Sequence, residues 1–234
     1  MVPQDVVLVI FQVVVLILAF SLHECSHAWV AWRLGDPTAK MLGRVTLNPI
    51  KHLDPFGSVI FPLLGLYYGG MLFGWAKPTP VTARNFKHYK RDDILVALAG
   101  PASNLLSATA ALILLVAIKH AVAGGASTIT TAVLLAHHVR GISTESLSRI
   151  FPIALFLYYV ILLNLLLFVF NLIPVPPLDG SHILRHFLPY RALQLYDRIG
   201  MFGMLIIMLV GGSFIFRIFL SPLQATFDSL LFAL

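Results

Sequence analysis

Apolar residues in this chain run in long blocks rather than in alternation, and short polar stretches separate the blocks. Four blocks, at about residues 5–33, 94–118, 150–173 and 199–216, are long and apolar enough to cross a bilayer as helices. A fifth, residues 56–75 (FGSVIFPLLGLYYGGMLFGW), is broken by Pro62 and by Gly57, Gly65, Gly69, Gly70 and Gly74. Such a segment makes a poor straight helix. Residues 120–149 carry Gly124-Gly125 and only a short apolar run, so they predict an external loop with one surface helix. The tail after Pro222 predicts an amphipathic helix at the interface. The pattern therefore predicts an all-α polytopic membrane protein with about four full spans and a re-entrant or sheet-like insertion after the first.

Composition agrees. Hydrophobic residues make up 59% of the 234 and charged residues 11%, with a mean hydropathy of +0.89. A water-soluble domain carries roughly 25% charged residues, so this chain lacks the polar surface to face water on all sides. The apolar N-terminus has no basic residue ahead of it and no small-residue cleavage signal before the polar HECSH, and is read as a retained span. The single Cys25 excludes an intrachain disulfide.

Charge decides the topology. The net charge is +6, but the sixteen Lys and Arg lie in the loops between apolar blocks rather than in one tract. Their expected partners are lipid headgroups, not nucleic acid. If residues 56–75 do not cross, the stretches 33–55, 77–91 and 174–198 share one side and hold four, five and three of the basic residues. If they do cross, the split is eight and eight, with no positive-inside signal. The expectation is thus a cell-membrane protein with an outside N-terminus. Cytoplasmic-side loops and the re-entrant segment fill 34–93, a further cytoplasmic loop fills 174–198, and residues 1–234 form one integral-membrane domain.

The candidate chemistry sits at the end of the first span. His23, Glu24 and His27 in HECSH fit His-Glu-x-x-His, in which imidazoles at i and i+4 on one helix face bind zinc and the intervening Glu acts on water. All three follow a nearly unbroken apolar run and precede Ala28-Trp29-Val30-Ala31-Trp32. Ionisable groups within a span are costly and mark function. Ten residues separate His23 from Arg33, so at a rise of 1.5 Å the site lies about 15 Å below that end of the helix, nearer the cytoplasmic face.

A catalytic zinc site normally has three protein ligands and one open position. The candidates for the third are Asp54, Asp179, His182 and His186. Asp179 follows Pro174, Pro176 and Pro177, which end the third span at the same membrane face as HECSH. His182 and His186 repeat the i,i+4 spacing, but Arg185 lies between them and no carboxylate base accompanies them, so they are read as surface or supporting residues. His52 and Asp54 lie in ordinary turn sequences, Asn48-Pro49 and Asp54-Pro55. On the second span Gly100, Asn104, Ser107 and Ala111 form a small-residue packing stripe. The Asn104 amide could also donate to the oxygen of a tetrahedral intermediate. Asn164 and Asn171 are expected to bond between helices.

Taken together, HECSH, the later GPASN and NLIPVPPLDG resemble the site-2 protease family of intramembrane metalloproteases, over about residues 15–185. GRVTLNPIKHLDPFG and GWAKPTPV look like its compact prokaryotic branch. The resemblance implies one zinc ion held by His23, His27 and Asp179, with Glu24 as the catalytic acid/base and Asn104 assisting at the substrate. It further implies cleavage of transmembrane proteins in regulated proteolysis or membrane protein turnover, without a PDZ or CBS domain. The competing reading is a metal-ion carrier or sensor using the same His/Asp cluster. Glu24 separates the two, since hydrolysis needs it and metal retention does not.

Overall fold

The computed structural model describes residues 4–61, 74–139, 142, 147–206, 214 and 216–234. Eight α-helices organise these residues: α1 (Gln4–Arg33), α2 (Thr38–Met41), α3 (Tyr89–Ala121), α4 (Gly125–Ala136), α5 (Phe151–Asn171), α6 (Asp179–Arg185), α7 (Tyr190–Ile206) and α8 (Ser221–Ala233). No strand occurs among the described residues. Among the described residues, three helices are long and apolar enough to cross a membrane: Val7–Arg33, Tyr89–Ala121 and Phe151–Asn171, with mean hydropathies of 2.3, 1.9 and 2.7. They correspond to the first three predicted spans. The second begins and ends a few residues beyond the predicted 94–118, because its polar first turn continues the helix. In the predicted fourth span, residues 207–213 and 215 lie outside the described residues, as do residues 62–73 of the expected insertion.

Helix α3 packs along both α1 and α5. Close approach is permitted by small residues: Ala108 and Ala111 on α3, Ala19 on α1 and Ala154 on α5 are all buried. The observed stripe on α3 runs Gly100, Asn104, Ala108, Ala111 and Leu115. Ser107 falls off its edge, half-buried, and donates its hydroxyl to Ser103 O. The interior is completed by Tyr158 and Tyr159 of α5, both buried.

Three other expectations are corrected. Helix α4 is not a surface helix: Ile129, Ala132, Val133, Leu135 and Ala136 are buried against α3 and α5. Its reversal from α3 requires Gly124 at φ +72 and Gly125, where a Cβ would lie 2.4 Å from Ile118 O. The tail forms the expected helix, α8, which buries Phe227 and Leu231 against the core. Lys119 Nζ donates to Leu231 O and Phe232 O at 3.1 and 2.9 Å, meeting carbonyls at the helix end where a cation is favoured. The stretch 174–198 is largely helical, containing α6 and the start of α7. Asn164 and Asn171 bond within their own helix, to Val160 O and Leu167 O.

Among the described residues between α1 and α3, turns and side-chain caps hold the chain. Asp54 accepts from Phe56 N and Gly57 N, capping the turn that starts at Pro55, while His52 Nε2 bonds Thr46 O. Both residues thus act in turn building. The chain leaving this region meets the chain returning: Trp75 N donates to Gly57 O at 3.1 Å and Lys77 N to His52 O at 2.8 Å. Farther along, the buried Asp36 carboxylate accepts from Thr38, Thr82 N and Asn85 Nδ2, pinning the returning segment to the end of α1. Burial alone would raise the Asp36 pKa, but these hydrogen bonds outweigh it and hold the carboxyl below its ordinary value.

Candidate metal centre

Helix α1 presents His23 and His27 one turn apart on the face covered by α3, with Glu24 beside them; all three are buried. Asp179 approaches as the first residue of α6, after the proline-rich turn that ends α5. Gly180 allows that turn to close, since a Cβ there would lie 2.3 Å from Leu172 O. The last turn of α6 and its C-cap are tied to α3 near that helix's start: Asp93 Oδ2 lies 2.7 Å from His186 Nε2 and 3.9 Å from His182 Nδ1. Tyr89 stacks edge-on against His186. The second i,i+4 histidine pair therefore serves the placement of the helix that carries Asp179, and the half-exposed His182 stands at the edge of the site.

Three ligand atoms converge. His23 Nε2 and His27 Nε2 are 3.0 Å apart, and Asp179 Oδ2 is 3.1 and 3.3 Å from them. Ligands about 2.0–2.1 Å from a tetrahedral zinc stand roughly 3.3 Å from one another, so the triangle has the size a zinc ion requires. The proton count makes the same point. His27 Nδ1 is 2.6 Å from Val96 O and His23 Nδ1 is 3.3 Å from Asn104 Oδ1. Both partners are acceptors, so each Nδ1 carries the hydrogen and each neutral ring turns a bare Nε2 lone pair inward. Asp179 Oδ2 is buried without a hydrogen-bond donor. Three acceptors facing one another in a buried space call for a cation.

Gly100 is part of this centre, which its sequence reading as a packing residue did not anticipate. A Cβ there would fall 2.3 Å from His27 Nε2 and 2.5 Å from His23 Nε2. Its absence lets both rings lie against α3 and brings His27 within reach of the Val96 carbonyl one turn earlier. Asn104 commits its oxygen to His23, while its Nδ2 is buried with no partner. Glu24 is engaged by Thr79, whose backbone N–H and hydroxyl lie 2.8 and 2.7 Å from Glu24 Oε2. The centre opens into a cavity of about 430 Å³ lined by His23, Glu24, His27, Trp75, Thr79 and Asp179, among others. Of the sequence candidates, the structure thus brings together His23, Glu24, His27, Asn104 and Asp179, and leaves His52 and Asp54 in the neighbouring turns.

Comparison with known proteins gives the same assignment. The family model described as "Peptidase family M50" matches residues 11–211. The chain is 41% identical over 179 residues to a Bacillus subtilis protein named "Putative zinc metalloprotease YwhC", covering 76% of this chain and 69% of that one. Proteins named in the same terms as Rip2 match in Mycolicibacterium smegmatis, at 37% over 39% of this chain and 34% of the relative, and in Mycobacterium tuberculosis, at 28% over 70% and 52%. No solved structure matches the chain. With a family model spanning most of its length, apolar helices of membrane-crossing length and a metal-sized cluster of His23, His27 and Asp179, the chain belongs to peptidase family M50, the site-2 protease family, and is a multi-pass membrane zinc metalloprotease.

Proposed function

We propose that the protein is an intramembrane endopeptidase that cleaves a peptide bond within or beside a transmembrane segment of another membrane protein, in regulated proteolysis or membrane protein turnover. The observation that carries this reading is the triangle of ligand atoms from His23 and His27 on the apolar first helix and Asp179 past the end of the third, set beside Glu24 and open to a cavity. Zinc, when bound by these three residues, supplies Lewis acidity to the attacking water and the scissile carbonyl.

The chain's own residues supply the rest. Glu24 accepts the proton of the attacking water and returns it to the departing amine. Asn104 Oδ1 holds the Nδ1–H of His23, fixing that ring with Nε2 inward. The unpartnered Asn104 Nδ2 is a donor already stripped of water, which supports the expected role in assisting at the substrate oxygen. Val96 O fixes His27 in the same way. Because a membrane helix satisfies its own backbone, the substrate must unwind locally before its peptide bond can reach the cavity.

The chain acts as one integral-membrane domain with its N-terminus outside and its active site nearer the cytoplasmic face. Twelve of the sixteen basic residues support this orientation. The hydrogen bond from Trp75 N to Gly57 O supports residues 56–75 entering and leaving on one side, because a crossing would part those two groups by about the 30 Å of the hydrocarbon core. The partners are the bilayer and a transmembrane substrate, without nucleic acid. Glu24→Gln in proteoliposomes tests the reading: zinc should stay at one per chain while cleavage of a transmembrane peptide is abolished. Cleavage by Glu24→Gln at the wild-type rate would remove Glu24 from the reaction.

A further inference from the structure

The segment Trp75–Val81 reads WAKPTPV, and its geometry is directed at the catalytic carboxylate. Pro78 and Pro80 have no backbone N–H, so the Thr79 amide is the only main-chain donor of the three residues. A residue that precedes proline is biased toward extended backbone, which applies to Lys77 and to Thr79 itself. The strap so formed is anchored on both sides. Upstream, Trp75 N and Lys77 N donate to Gly57 O and His52 O. Downstream, Thr82 N and Asn85 Nδ2 donate to Asp36.

Between these anchors, the Thr79 amide donates to Glu24 Oε2 at 2.8 Å and its hydroxyl lies 2.7 Å from the same oxygen. The hydroxyl is also 3.0 Å from Glu24 O, but its single proton serves the nearer, charged acceptor. Among the described residues no hydrogen bond engages Glu24 Oε1. We propose that Thr79 is the positioning residue of the protease: it grips one oxygen of the Glu24 carboxylate with two donors so that the other is presented to the attacking water. A glutamate side chain has three rotatable bonds, and a buried carboxylate needs its lone pairs met. The Pro-Thr-Pro strap meets both needs without contributing a charge near the metal ligands.

The proposal rests on Glu24 as the base, and its test separates the two claims. Thr79→Val keeps the shape and the amide donor but deletes the hydroxyl, while Thr79→Ser keeps both donors. In reconstituted protein with a transmembrane peptide substrate, Thr79→Val should lower kcat by about tenfold or more, the worth of a hydrogen bond to a charged group. KM should stay within about twofold, with zinc content unchanged and the protein still folded at the assay temperature, because only a group acting with the attacking water is misplaced. Thr79→Ser should restore kcat. If Glu24→Gln is inactive but Thr79→Val keeps the wild-type kcat, the positioning role is overturned while the base assignment stands. If Thr79→Val loses zinc or is unfolded at the assay temperature in proportion to its lost kcat, Thr79 serves the fold and the proposal is likewise overturned. Wild-type activity in Glu24→Gln would remove the base assignment itself.

Discussion

Two of the polar clusters that join the helices differ in the balance of protons. At one, His137, Tyr158 and Asp228 join α4, α5 and α8: His137 Nε2 lies 2.8 Å from the Tyr158 hydroxyl, which in turn donates to Asp228 Oδ1 at 2.8 Å. Donor meets acceptor along that chain, and Gln224 Nε2 lies 3.3 Å from the same His137 nitrogen. At the other, His23, His27 and Asp179 turn three acceptors toward one another, because Asn104 and Val96 have claimed the ring hydrogens. Histidine and aspartate occur in both. What separates an internal brace from a metal centre is the partner of the far ring nitrogen, a distinction that residue type alone does not carry.

The contrast is sharpest in Asp179→Ala. Removing one of three ligands should take zinc from one per chain to near zero after dialysis and abolish proteolysis, measured by metal analysis and peptide cleavage. Gly100→Ala comes next: its methyl group meets both imidazoles below 2.6 Å. We expect a destabilisation of about 1–3 kcal/mol from overpacking, with a large loss of zinc affinity, read by chelator competition. Asn104→Ala frees the His23 ring and should weaken zinc binding by about 10–100-fold. Tyr158→Phe acts on the other cluster, leaving Asp228 without its donor. It should cost about 1–3 kcal/mol of stability with zinc content unchanged, which thermal melting and metal analysis together would establish.

The smallest effect belongs to Asp36, outside both clusters. Its carboxyl is held below its ordinary value in the folded protein, so its stabilisation is present above the unfolded pKa of about 3.9 and fades as pH falls through the lower folded value. Asp36→Asn should therefore cost about 1 kcal/mol at neutral pH. Its stability should approach that of the wild type in acid, as followed by melting temperature against pH.

Much of this was legible in the sequence, and the exceptions have physical reasons. The three spans show because apolar length is a direct signal of membrane burial. HECSH shows because imidazole spacing on a helix is fixed, and Asp179 because prolines end its helix at the face that charge counting assigns to HECSH. Gly100 read as a packing residue, since nothing in GPASN says that its neighbours are the two ligands. The Val96 carbonyl leaves no trace in side-chain chemistry. Thr79 did leave a signal: a hydroxyl between two prolines marks an extended strap with one free amide. Its target became apparent only when the turns at His52 and Asp36 brought it to Glu24. Helix α4 misled because its twelve residues are too few to span, and burial against α5 comes from tertiary packing rather than length.

The central claim is the ligand set, and zinc K-edge X-ray absorption of the purified wild-type protein reads it directly. The expected spectrum has two imidazole nitrogens and oxygen ligands at about 2.0–2.2 Å, with no sulfur shell. A sulfur scatterer near 2.3 Å, which would implicate Cys25, or a shell without imidazole, would contradict the assignment of His23, His27 and Asp179.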